Sequence, residues 1–349
     1  SPWTHAPICT DVLQSLGSKL CVYTNTSFSN GRGISIFTTP TVAAEFASLP
    51  AFQDPAALAN VNIFSGNWYT QELPGKGMGV LASQHLNFGD RVTAYTPALL
   101  AHPAEELSTM DREKYFRIAV DQLPAATRDS YLQLSTIFGI PEVRVQDIVK
   151  ANTFQLELGG QNHLAVFPET SRLNHACSPN AQYYLDPSTL THFVHATRPI
   201  APNEEITISY ISPLDPTATR QDHLLTSFHF TCTCRRCATP AATDSTLHAI
   251  AMLQQTLGAW TSGGSHDYLA MAESLIQTFQ REGLEGFLDV PYGHAALAYN
   301  AVGDVENAVR YAEMAAQAVR LKDGAWTENL RVWEEVGREP RGHWSYRRR

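Results

Sequence analysis

Cys232-Thr233-Cys234-Arg235-Arg236-Cys237 puts three thiols into six residues. Such crowding suits one tetrahedral ion better than disulfides, which need a particular separation and direction of their Cβ atoms. A structural zinc of this kind takes four ligands. Cys177 is the candidate for the fourth, because Cys9 and Cys21 stand at the other end of the chain. Buried or disulfide-bonded cysteines are the alternative reading. Cys9 and Cys21 read as a possible disulfide of their own, and Asn25-Thr26-Ser27 beside them is an N-glycosylation sequon.

Three further segments combine chemistry-bearing residues. Gly75-Lys76-Gly77-Met78-Gly79 is a glycine turn between strand-like runs, where backbone amides can approach a ligand closely. Ser171-Arg172-Leu173-Asn174-His175-Ala176-Cys177-Ser178-Pro179-Asn180 packs polar side chains densely into one loop, and these need partners or a ligand. Asn203-Glu204-Glu205-Ile206-Thr207-Ile208-Ser209-Tyr210 reads as an apolar strand ending in a tyrosine. Taken singly, each is equally well a turn, a structural loop or a strand end. Gly31-Arg32-Gly33 is read as a turn only. No phosphate-binding Walker sequence, no G-x-S-x-G elbow and no dinucleotide fingerprint is present.

The elements that must position these residues follow from periodicity. Strands are expected at Leu20–Tyr23, Gly33–Phe37, Tyr69–Leu73, Val80–Ala82 and Arg91–Tyr95, with a short helix at Thr41–Phe46. From Ala104 to Phe154 the pattern is helical. Leu107, Met110, Tyr115, Ile118, Ala119 and Leu123 recur at helical spacing, then Tyr131, Leu134, Ile137 and Phe138, with a break at Pro141. Short strands return from Leu164 to Tyr210, including His192–His195. Pro213 and Pro216 mark a linker-like passage. After Pro240 the chain is alanine-rich and helical, with a stripe at Leu247, Ile250, Ala251, Leu253 and Leu257. Further helices are expected at Tyr268–Phe279, Gly293–Asn300 and Val305–Leu321. The Gly303-Asp304 turn between two helices, with Ala308, Ala312 and Ala315, resembles a tetratricopeptide hairpin.

In this order, four motifs resemble the SET methyltransferase family, most closely its SMYD branch and fungal relatives. They are the Gly-Lys-Gly-Met-Gly turn, the Asn-His-Ala-Cys-Ser-Pro-Asn loop, the Glu-Glu-Ile-Thr-Ile-Ser-Tyr strand and the Phe-x-Cys-x-Cys-x-x-Cys tail. The resemblance covers roughly Trp68 to Ala238. No MYND finger is present, and the region before Trp68 is not explained by the resemblance. The fold class implied is α+β: a β-rich SET fold with a helical insertion, a zinc-binding post-SET segment and a helical C-terminal region. The boundaries read as 1–67 for an N-terminal extension and 68–212 for the SET domain, with the insertion at about 104–151. The post-SET segment follows at 213–240 and the helical region at 241–349.

The same resemblance implies S-adenosylmethionine as methyl donor and a lysine-bearing protein or peptide as substrate. Lys76, Gly77, Met78, Gly79, Asn174 and His175 would contact the donor. Ser171, Arg172 and Asn152 would add contacts, Phe230 would pack on the adenine, and Tyr210 would act as catalytic residue and donor contact. Cys177 would close the zinc site with Cys232, Cys234 and Cys237. Tyr183, Tyr184 and Phe193 are candidates for a substrate-channel wall, or ordinary core aromatics. The alternative function is a SET-fold protein turned to a small molecule or to non-catalytic partner binding.

Composition narrows the partners. Hydrophobic residues at 44% and charged residues at 17% describe a globular chain, and a net charge of −9 disfavours direct nucleic-acid binding. No run of 18 apolar residues suggests a membrane span. A monomer is expected. The chain opens on Ser1, which reads as removal of a tag, an initiator or a signal peptide. Nuclear or cytoplasmic and secreted locations are both left open.

Overall fold

The computed structural model describes residues 2–260 and 267–348. The sequence boundaries that touch residues 1, 261–266 and 349 lie partly outside the described residues. The chain divides into two compact units. The first comprises residues 1–80, 91–173 and 185–193; the second comprises 81–90, 174–184 and 194–349.

The first unit is built on a six-stranded sheet. Its strands lie in the order Ile8–Leu13, Ser18–Asn25, Ile34–Thr38, Leu99–Ala101, Gln161–Val166 and Thr153–Leu158. Only Ile34–Thr38 and Leu99–Ala101 run parallel to each other; the remaining neighbours are antiparallel. Both central strands are buried along their whole length. Because strand side chains alternate between faces, Phe37, Leu99 and Ala101 enter one apolar cluster while Ile34, Ile36 and Leu100 enter the other. The first cluster is closed by Tyr115, Phe116, Ala119 and Val120 of helix Thr109–Asp121 and by Ile148 and Val149 of helix Arg144–Asn152. The second is closed by Val42 and Phe46 of helix Pro40–Ser48. That helix starts where the sequence allows it to: Thr39 accepts the Val42 N–H and Pro40 supplies a preset first turn. Burying a side chain such as Phe37 is worth about 3 kcal/mol.

The helical insertion is more broken than its periodicity implies. Helices form at Thr109–Asp121, Ala125–Leu132 and Arg144–Asn152, but 133–140 is not helical. Ile137 and Phe138, expected on a helix, lie in a loop pinned by one carboxylate. Asp147 accepts the N–H groups of Ile137, Phe138 and Gly139 at 2.9–3.2 Å. Gly139 at φ +66° and Pro141 close the helical option there. Thr153 and Phe154, read as the helix end, already belong to a strand.

The second unit contains the short parallel pair Asn174–His175 and Thr207–Ile208, followed by helices. After the linker-like passage marked by Pro213 and Pro216, Thr217–Phe228 forms a helix that the sequence reading did not anticipate. Pro216 takes the N-cap position, where its missing N–H costs nothing. Helices Pro240–Gly258, Tyr268–Glu282 and Asp289–Val302 share one core of Leu247, Ile250, Leu257, Leu275, Phe279, Ala295 and Ala298. The Gly303-Asp304 turn is as expected: Gly303 sits at φ +84°, and Asp304 caps helix Val305–Asp323 by accepting the Asn307 N–H. A last helix, Glu328–Arg338, closes the set through Leu330, Trp333 and Val336.

Candidate functional site

Cys177 follows the short strand Asn174–His175, and Cys232, Cys234 and Cys237 follow helix Thr217–Phe228. Their four sulfurs all lie within 4.8 Å of one another. Cys177 Sγ is 4.0 Å from Cys232 Sγ and 3.6 Å from Cys237 Sγ. A disulfide would bring two sulfurs to about 2.05 Å. Thiolates around a tetrahedral ion, with metal–sulfur bonds of about 2.3 Å, stand about 3.8 Å apart. The donor set therefore fits a thiolate-bound metal, and the four cysteines singled out in the sequence come together.

Two arginines that the sequence reading passed over complete the surroundings. Arg220 and Arg236 are 0% and 1% exposed. Arg236 donates Nε to Glu282 at 3.0 Å, and Nη1 to the carbonyls of Cys177 and Pro213 at 2.7 and 2.8 Å. Arg220 directs Nη2 at Cys237 Sγ, 3.9 Å away, and at Thr217 Oγ1, 3.1 Å away. A dication with four thiolates carries a net charge of −2. Two buried guanidiniums beside it supply the opposite charge in a medium that screens poorly. The available signal was Arg236 inside the C-x-C-x-x-C run; Arg220, outside the run, had none.

His175 links the cysteines to Tyr210. Its Nδ1 accepts the Tyr210 backbone N–H at 3.1 Å, and its Nε2 lies 3.3 Å from Cys177 Sγ. Because the Tyr210 amide can only donate, a neutral His175 must carry its proton on Nε2 and present it to the sulfur. The ring is thus fixed at both nitrogens. Around it, the Tyr210 ring centroid lies 5.4 Å from His175, 5.0 Å from Phe228 and 6.4 Å from Phe230. Phe230 lies 6.0 Å from His175. Tyr210, His175 and Phe230 are therefore neighbours; Phe228 joins them unpredicted.

Burial raises the Tyr210 pKa above the ordinary phenol value, with the charges of Glu205 and Tyr183 adding in the same direction. The hydroxyl keeps its proton through the physiological range. Asn174 donates Nδ2 to Glu205 at 3.0 Å. Asn180, fully buried, ties the loop to the strand: its Oδ1 accepts the Thr207 N–H at 2.8 Å and its Nδ2 reaches the Glu205 carbonyl at 2.9 Å. Tyr183 is partly buried, and desolvation raises its pKa. Tyr184 stacks on His195 at 5.7 Å.

The remaining predicted residues belong to the first unit or to the strand that leaves it. Lys76 lies on the turn between strands Trp68–Leu73 and Gly77–Ala82. Gly77 needs its freedom there, at φ +71°, although a Cβ would meet nothing within 4 Å. Met78 is exposed and Gly79 buried. Ser171 and Arg172 form a single tight turn with Thr170. Ser171 Oγ donates to the Asn152 carbonyl at 3.1 Å, so these two come together. The Asn152 side chain spends its Nδ2 on the carbonyls of Ser135 and Ile148, both at 2.8 Å. Phe193 packs against the second apolar cluster of that unit. Cys9 and Cys21 form a disulfide.

Residues 77–211 match the SET domain family model. Human N-lysine methyltransferase SMYD2 is 32% identical over 183 residues, covering 51% of this chain and 40% of that protein. Histone-lysine N-methyltransferase set5 of Schizosaccharomyces pombe is 26% identical over 288 residues, covering 78% of this chain and 83% of that protein. Chicken SMYD2 is 36% identical over 135 residues, covering 38% of this chain and 30% of that protein. The chain thus spans less than half the length of the SMYD2 relatives it matches.

Proposed function

We propose that this chain, whose residues 77–211 match the SET domain model and whose relatives include lysine methyltransferases, transfers a methyl group from S-adenosylmethionine to the side-chain amine of a lysine in a protein or peptide. The observation that carries this reading is the fixed contact between Tyr210 and His175, with the phenol held protonated among aromatic rings. Bound S-adenosylmethionine supplies an electrophilic methyl carbon on a sulfonium.

The chain's own residues have two tasks. One is to accept an amine that has lost its proton. Free lysine has a pKa of about 10.4, so an apolar, desolvating approach is needed to favour the neutral form. The aromatic surroundings of Tyr210 provide that environment. The other task is orientation. The Tyr210 hydroxyl, which keeps its proton, can hydrogen-bond to the incoming nitrogen and fix its direction. Asn174, His175 and Phe230 are assigned to the donor. Lys76, Gly77, Met78, Gly79, Asn152, Ser171 and Arg172 keep the donor-contact role that the family resemblance gives them. Tyr183, Tyr184 and Phe193 keep the channel-wall role. We further assign the four-cysteine cluster to zinc, held by Cys177, Cys232, Cys234 and Cys237, which ties the loop carrying His175 to the segment carrying Phe230.

The test is methyl transfer to lysine-bearing peptides with labelled donor, alongside donor binding by calorimetry. Tyr210→Phe is expected to lower kcat by about 100-fold or more while donor binding stays within a few-fold of the parent. A parent protein that binds no donor, or a phenylalanine variant as active as the parent, would end this assignment.

A further inference from the structure

The hairpin of Ile8–Leu13 and Ser18–Asn25 carries two features that methyl transfer does not use. Cys9 and Cys21 stand opposite each other in the strand register and are joined as a disulfide, with Cα atoms 4.0 Å apart. Cys21 is 1% exposed, packed with Tyr23 and Ala43 and covered by Trp3. Further along the same strand comes Asn25-Thr26-Ser27, the one Asn-x-Ser/Thr sequence in the chain. Here the strand ends and the backbone turns to the surface. Asn25 and Thr26 are half-buried and Ser27 is exposed.

The turn is ordered in a way that favours modification. Asn25 Oδ1 accepts the Ser27 N–H at 2.9 Å, an Asx turn that fixes the carboxamide plane. The Thr26 N–H is taken by Thr4 Oγ1 at 3.0 Å, which anchors the middle residue. Among the described residues, no hydrogen bond engages Asn25 Nδ2 or Ser27 Oγ. The carboxamide nitrogen and the hydroxyl two residues on are therefore available together.

We propose that Asn25 is an N-glycosylation site, and that the chain matures in the oxidising compartment that forms Cys9–Cys21. Stable disulfides of this kind belong to oxidising spaces, and N-linked glycans on such sequons mark surface turns of secreted proteins. The two features are separate in chemistry and agree on the compartment. The co-reactant is an oligosaccharide carried on a lipid diphosphate. A bond forms between Asn25 Nδ2 and the anomeric carbon, and the bond from that carbon to the diphosphate oxygen breaks. The lipid diphosphate leaves with the electron pair, and Nδ2 gives up one proton. For the disulfide, two thiols lose two electrons and two protons to a disulfide-exchange donor, which is reduced to its dithiol.

The experiment uses the full chain isolated from its natural source. The protein is treated with an amide-cleaving endoglycosidase in isotopic water, digested and mapped, and its cysteines are alkylated before and after reduction. The expected result is a loss of glycan mass on treatment, with Asn25 converted to isotopically marked aspartate. Cys9 and Cys21 should be alkylated only after reduction. Asn25→Gln and, separately, Ser27→Ala, expressed in the same cells, should each abolish the mass shift. An unmodified Asn25 in the isolated protein overturns the proposal, as does recovery of Cys9 and Cys21 as free thiols.

Discussion

The guanidinium of Arg236 has no water to fall back on. It satisfies Nε on Glu282 and Nη1 on two carbonyls, one of which belongs to Cys177 itself. Replacing it with methionine roughly keeps the volume and removes the cation, leaving Glu282 without its partner and the four sulfurs with Arg220 as the remaining buried guanidinium beside them. Loss of a partner next to a metal ligand commonly costs 10–100-fold in metal affinity. Arg236→Met and Arg220→Met are therefore each expected to raise the rate of zinc loss to a chromogenic chelator by roughly 10-fold or more. Secondary structure by circular dichroism should remain near that of the parent. Release rates unchanged in both variants would show that the arginines serve packing alone. The sequence carried this information only weakly, because a basic residue between cysteines looks like surface until burial is known.

Asp147 does for the insertion what a helix cap does at a terminus. One carboxylate, 2% exposed, holds three consecutive amides from a loop that has no other secondary structure. Asp147→Ala would leave those donors without their acceptor, at a cost of about 3 kcal/mol. The expected outcome is a lower Tm and faster hydrogen exchange at residues 137–139, with the six-stranded sheet still protected. Equal protection of that loop in parent and variant would contradict the role given to Asp147. At this scale, legibility followed locality. Strand Arg91–Tyr95 and the Gly303-Asp304 turn were readable because alternation and turn chemistry are properties of neighbouring residues. The edge strand Ile8–Leu13 was not, because Ile8 and Val12 are exposed and blur the alternation. Residues 133–140 misled because apolar spacing cannot report a carboxylate several residues downstream. The four cysteines and the neighbours Tyr210, His175 and Phe230 were legible as motifs. Their connection, a histidine bonded at both ring nitrogens, is a tertiary fact.

Acid should weaken the whole protein before its carboxylates are reached. Burial lowers His192 to about 3, and burial with the nearby His102 lowers His163 to about 4. Both rings are neutral in the folded chain at neutral pH. In the unfolded chain they titrate near about 6.5. Their contribution is complete above that value. It is lost as pH falls, because the unfolded chain takes up protons that the folded chain refuses. From about 6.5 down to about 4, two protons are at stake, and stability falls by up to about 2.7 kcal/mol per pH unit. Below that, His192 continues alone to about 3. Denaturant titrations across this window test the slope, and His192→Phe should remove about half of it. A flat stability between pH 6 and pH 5 would count against both assignments. The cysteine cluster has a different reach. Cys177 and Cys232 are 55 positions apart in sequence, so an occupied centre makes a closed ring of everything between them. A protease that nicks the bend near Pro213 would cut that ring once without freeing either piece. The clipped protein would run as a single particle until a chelator let its two fragments part.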